Sequence, residues 1–283
     1  MSSGVISSGL FKDLYFEVHG SGNPVLVLHG LGATHYSWRY LVGPLSESRS
    51  VYLFDLKGHG KSKAPNDGRY SLEEQADILW SFIRDFDLRD VSVIGHSMGG
   101  GIALLLCLRM LQETPSRLTS LVLLDSIAYL QKLPIMLKLL RFPFVGNLAL
   151  SIIPADVLAK IVLNLAYYDR SKITDETIRC YASNLSSRAG RKAILSTVLQ
   201  IIPTNIGWIA QQYEKISVPT LIIWGQDDKI VSPAIGILLN TQIKNSVLTI
   251  MERCGHIPQE EQPSRTIPEI CEFLGCTRMP CDV

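Results

Sequence analysis

Val91-Ser92-Val93-Ile94-Gly95-His96-Ser97-Met98-Gly99-Gly100-Gly101 sets the architecture expected of this chain. Val91 to Ile94 has the composition of a buried strand, and the residues from Met98 onward form an apolar, helix-prone run. The chain must therefore turn sharply between them. A serine at the apex of a strand-to-helix turn stands clear of the sheet, and glycines two before and two after it, Gly95 and Gly99, remove side chains that would clash in the turn. The plain alternative is a glycine-rich turn with an idle serine. A phosphate cradle is not read here, because no lysine follows the glycines as in a P-loop. Gly99, Gly100 and Gly101 instead let the helix lie close to the sheet.

On both sides of this turn, apolar runs alternate with helical stretches, the rhythm of βαβ units. Strands are expected at Leu14 to Val18, Val25 to Leu28, Val51 to Phe54, Val91 to Ile94, Leu118 to Leu124, Thr220 to Trp224 and Val247 to Met251, the last five as fully buried runs. Ser71 to Phe86 reads as a helix, with Ser71 as N-cap and Glu74 at capping-box spacing. Pro233 to Asn240 and Pro263 to Phe273 read as helices that begin with proline. The expected class is α/β, a doubly wound, mostly parallel sheet.

From Ile127 to Gly207 the rhythm breaks: about eighty residues show helical periodicity and no strand, too long for a loop. The chain therefore divides into a core, 1–126 and 208–283, and an inserted all-helical cap, 127–207. Leu133 to Tyr168 carries four charges, Lys138, Arg141, Asp156 and Lys160. Pro134, Pro143 and Pro154 cut its apolar runs below the roughly 20 residues of a membrane span, so no transmembrane segment is expected. Two readings of this apolar surface stay open. It buries one face on the core, or part of it lines an acyl-chain pocket or touches a lipid surface.

The 283 residues are 47% hydrophobic and 19% charged, enough to bury a core and no composition for disorder. Net charge is +1 and no Lys/Arg-rich block occurs, which argues against nucleic acid as a partner. Met1 to Gly9 lacks the basic and apolar regions of a secretory signal, so a cytoplasmic protein is expected. The six cysteines form no CxxC pair and read as reduced thiols, with Cys276 and Cys281 near enough in sequence to pair under oxidation. No Cys/His cluster has zinc spacing, so no metal is expected, and no cofactor is implied.

Five blocks in order make the chain resemble the α/β-hydrolase superfamily from about Tyr15 to Leu274: His29-Gly30-Leu31-Gly32, Asp55-Leu56-Lys57-Gly58-His59-Gly60-Lys61-Ser62, the Ser97 turn, Trp224-Gly225-Gln226-Asp227-Asp228, and Gly255-His256. The resemblance implies a triad in the order serine, acid, histidine. Of the six histidines only His256 follows both other members, and it becomes the base for a Ser97 nucleophile, with Gly255 leaving it room to turn inward. The acid has three candidates, Asp125, Asp227 and Asp228; family position, three after the glycine of the G-x-x-D turn, favours Asp228. It also assigns the oxyanion-hole amides to Leu31 and Met98. His29 and Gly30 shape the loop, and Asp55, Gly58, Gly60 and Ser62 are structural.

The resemblance implies a serine hydrolase acting on a small-molecule ester, a carboxylesterase or small lipase, and the apolar cap tilts the expectation towards a lipophilic acyl or alcohol group. A serine at the elbow argues against the dehalogenase and epoxide hydrolase branches, which place aspartate there. Carbon-carbon bond hydrolases of the superfamily usually carry tryptophan after the histidine; here the residue is Ile257. Such a hydrolase, a cofactor-free perhydrolase and a hydrolase-like ligand receptor remain the alternatives.

Overall fold

A computed structural model describes residues 7–132 and 134–276. One eight-stranded sheet runs through it: β1 (Ser7–Phe11), β2 (Leu14–His19), β3 (Pro24–Leu28), β4 (Ser50–Asp55), β5 (Val91–His96), β6 (Leu118–Leu124), β7 (Thr220–Gly225) and β8 (Ser246–Met251). The spatial order is β1-β2-β4-β3-β5-β6-β7-β8. β1 and β2 join antiparallel, and every pairing from β4 to β8 is parallel. The sheet is doubly wound and mostly parallel, as the alternation implied.

Side chains of a strand alternate faces, and here each face has its own apolar layer. Leu26, Leu28, Val93, Leu121, Leu123, Ile222 and Trp224 point to one side; Val25, Val27, Ile94, Val122, Leu124, Leu221 and Ile223 point to the other. The second side is covered by α1 (Arg39–Ser46) and α12 (Pro263–Phe273). The first is covered by α2 (Leu72–Asp85), α3 (Met98–Glu113) and α10 (Pro233–Gln242). Ser71 caps α2 in a complete capping box with Glu74, as its spacing predicted.

Between β6 and β7 the described residues form helices and turns: α4 (Ile135–Leu140), α5 (Pro143–Ile152), α6 (Ala155–Ala166), α7 (Asp175–Ser183), α8 (Arg188–Gln200) and α9 (Ile206–Gln212). The expected boundary at 207 falls within α9. A short α11 (Pro258–Glu261) follows β8.

Two expectations need correction. β1 was missed because Ser-Ser-Gly carries no apolar run; it exists through its pairing with β2. β8 is not fully buried: it is the edge of the sheet, and Val247 is largely exposed. Apolar composition reports a strand but not its place in the sheet. Cys107, Cys180, Cys254, Cys271 and Cys276 are free thiols, and Cys281 lies outside the described residues.

Candidate active site

In an open parallel sheet the loops beyond the carboxyl ends of the strands meet in a crevice. Here those ends carry Leu31 after β3, Ser97 after β5, Asp125 after β6, Asp228 after β7 and His256 after β8. Ser97 sits at φ +53°, ψ −115°, a conformation side chains seldom adopt, and heads α3. The flanking glycines are obligatory for a steric reason: a Cβ on Gly95 would lie 2.4 Å from the Gly99 carbonyl oxygen, and one on Gly99 would lie 2.3 Å from that of Leu28. The turn is therefore wedged between its own helix and β3.

Ser97 Oγ lies 2.8 Å from His256 Nε2, and His256 Nδ1 lies 2.7 Å from Asp228 Oδ2. The other oxygen of Asp228 accepts the amides of Ile230 at 2.7 Å and Val231 at 3.0 Å. With every bond to Asp228 coming from nitrogen, it is the acceptor; His256 carries its proton on Nδ1 and turns an unprotonated Nε2 to the serine hydroxyl. The structure thus joins the three residues named from sequence in one buried chain of hydrogen bonds.

Asp125, the rival acid, is also there. It is fully buried, its Oδ1 accepts the amide of Gly225 at 2.9 Å, and its Oδ2 has no donor. Burial first and the neighbouring Asp228 second push its carboxyl well above the usual carboxylate range. That shift favours the neutral form of Asp125 beside Asp228. Asp125, Asp228 and His256 are also the one group among the described residues whose potential metal-ligand atoms cluster, within 4.8 Å. The hydrogen bonds above already engage both oxygens of Asp228 and Nδ1 of His256. Asp227 is half-buried and takes no part.

Leu31 lines the crevice beside Ser97, and Gly30 backs onto Ser97 and His96. Met98 is the first residue of α3, where amides lack an intrahelical acceptor; its side chain is buried in the core. His29 donates from Nδ1 to the Gly30 carbonyl at 2.8 Å and accepts the Leu56 amide on Nε2 at 3.0 Å, so it ties two loops together. Asp55 likewise pins the loops that hold His35 and Lys61.

Three contributions had no sequence signal. His96 Nε2 donates to the His256 carbonyl at 2.7 Å, bracing the loop of the base from the serine's own turn. The His256 amide donates to the carbonyl of Ala166 at the end of α6 at 2.6 Å. Gly255 is needed for that approach, since a Cβ there would meet the Ala166 oxygen at 2.1 Å; room for a swinging histidine is not its use. Glu261 then accepts the amides of Gly255, Tyr168 and Asp169, and Glu260 accepts from Arg39 and Tyr181. The insertion is bonded to the segment that carries His256.

Buried neutral imidazoles make the fold acid-sensitive. Burial pushes His29 down to about 4 and His59 down to about 3 from an ordinary 6.5, and His96 well below it. As pH falls through 6.5 the unfolded chain takes up protons that the folded chain refuses, so stability present above that pH is lost until the folded groups titrate. His29 alone accounts for on the order of 3 kcal/mol. Urea midpoints measured at about pH 7 and about pH 5 should show the loss; equal midpoints would contradict it.

Above Ser97 and His256 lies a cavity of about 400 Å³. Its walls come from the sheet loops and from the insertion, through residues such as Leu105, Leu140, Val162, Leu165, Val198 and Ile201. No Lys, Arg, Asp or Glu is among the described residues that line it. The hydroxyls of its tyrosines are committed elsewhere: Tyr129 to Gln242, Tyr181 to Glu260 and Tyr213 to the Ala128 carbonyl.

Residues 25–269 match the Alpha/beta hydrolase family. An uncharacterized hydrolase of Bacillus subtilis is 26% identical over 266 residues, spanning 93% of this chain and 94% of its own. A 2-hydroxy-6-oxononadienedioate/2-hydroxy-6-oxononatrienedioate hydrolase of Cupriavidus pinatubonensis is 27% identical over 281 residues, spanning 93% of this chain and 92% of its own. Among solved structures, a meta-cleavage product hydrolase from Pseudomonas fluorescens superposes with a TM-score of 0.78 at 24% identity, covering 96% of this chain and 98% of its own. Of the three, only the Cupriavidus relative carries a specific activity at more than 25% identity, and that activity matches the carbon-carbon alternative weighed above.

Proposed function

The chain belongs to the alpha/beta hydrolase family, and from that premise we propose that it hydrolyses carboxylic esters with a long apolar acyl or alcohol group through an acyl-enzyme on Ser97. The observation that carries this reading is the uncharged, apolar cavity directly above the serine. Ser97 Oγ attacks the ester carbonyl as His256 Nε2 takes its proton, and Asp228 holds the imidazole and balances its charge. The oxyanion rests on the Leu31 and Met98 amides. His256 returns the proton to the leaving alcohol, and water repeats the cycle to release the acid. The helical insertion acts as a cap that keeps the acyl chain out of water.

A second reading, carbon-carbon hydrolysis, is favoured by the activity for which the Cupriavidus relative is named. That activity acts on a dioate. A buried carboxylate without a cation or a set of donors is costly, and none of the described residues lining this cavity is a lysine or arginine. Ile257, not tryptophan, lies beside His256 in its wall.

Burial of a methylene contributes about 0.8 kcal/mol. Values of kcat/KM for nitrophenyl esters should therefore climb about two- to fourfold per methylene from acetate until the cavity is full. A flat or falling profile, together with faster turnover of a 2-hydroxy-6-oxodienoate, would overturn the ester reading in favour of the second.

A further inference from the structure

The outer face of the insertion is apolar and uncovered. Ile135 is 78% exposed, Phe142 63%, Phe144 80% and Ile152 69%, on consecutive helices α4 and α5 and the turn between them. Single exposed apolar residues are common, but a run of this size marks a contact surface. It is continuous with the mouth of the cavity: Leu139 of α4, Val145 of α5 and Ile161 of α6 line the cavity and are each 42–50% exposed.

The charges around it are one-sided. Lys132, Lys138, Arg141 and Lys160 are exposed, against Asp156 alone in the same 130–168 segment. None of these four cations is in an ion pair among the described residues. The whole chain has a net charge of only +1, so the excess is local. No single described helix is long and apolar enough to cross a membrane; α5 and α6 together have the composition but are bent by 111°. Short apolar helices edged with unpaired lysine and arginine suit the plane of a bilayer interface.

We propose that the α4–α5 face docks on the surface of an anionic phospholipid bilayer, with the cavity mouth turned to the lipid. A second copy of the chain seated on this face would cover the residues where the cavity meets solvent, whereas a bilayer holds the apolar molecules that the cavity fits. The value of docking for turnover rests on the ester reading above; the docking itself does not.

The test is co-sedimentation with vesicles of phosphatidylcholine alone and of phosphatidylcholine with phosphatidylglycerol. Binding should be at least about tenfold tighter to the anionic vesicles and weaken with salt. The double variant Ile135→Asp/Phe144→Asp, at positions outside the cavity, should lose that binding and keep its turnover of a soluble short-chain ester. Lys138→Glu/Arg141→Glu should lose only the preference for anionic vesicles. No binding by the wild type, unchanged binding by the first double variant, or a wild-type dimer that this variant splits without any vesicle binding would each overturn the proposal. Binding is read without turnover, so a protein that binds vesicles and cleaves no ester loses the functional reading and keeps this one.

Discussion

Replacing Ser97 by alanine is expected to lower kcat for ester hydrolysis by on the order of 10⁶-fold. The hydroxyl is the one group placed to attack: it lies 2.8 Å from His256 Nε2 and opens into the cavity. Removing it leaves the oxyanion donors and the cavity in place, so a residual rate of about 10³- to 10⁴-fold over water and normal substrate binding should remain. The fold should persist, because alanine meets the same φ of +53° that serine already tolerates. Steady-state kinetics with thermal unfolding of both proteins checks this. A folded variant that keeps a tenth of the activity would remove Ser97 from the mechanism.

Asp228→Asn is expected to cost about 10⁴-fold in kcat, whereas Asp125→Asn should stay within about tenfold of wild type. An asparagine at 228 can turn an amide toward His256 and force the proton onto Nε2, where it blocks acceptance from Ser97. At 125 burial and the neighbouring Asp228 favour a neutral carboxyl, whose Oδ1 accepts the Gly225 amide. An amide keeps that acceptor and is neutral as well. Reversed results would move the acid to the end of β6 and make Asp228 the support.

Much of this was legible along the chain. Gly95, Ser97 and Gly99 announce their turn because a strand, a tight turn and a helix each leave their mark on adjacent residues. The capping box of Ser71 and Glu74 and the proline starts of α10 and α12 are equally local. His256 and Asp228 needed the order of five motifs as well, since nothing beside either residue shows what it faces. Sequence readings stopped where partners are remote: β1 through its pairing with β2, β8 through its edge position, and Asp55 through loops that converge on it.

The sequence by itself determined the doubly wound sheet, the helical insertion and the turn that presents Ser97, because periodicity, capping and turn chemistry are set by neighbours a few residues apart; His256 and the candidate aspartates came from the resemblance in motif order. Only the tertiary structure decided that Asp228 and not Asp125 meets His256, that Asp125 is buried beside Asp228, and that His96 and Ala166 brace the base. It also decided which apolar residues of α4 and α5 are buried and which face outward. Those outcomes depend on burial and on contacts between segments up to 160 residues apart, as from His96 to His256, and such contacts leave no trace in local sequence.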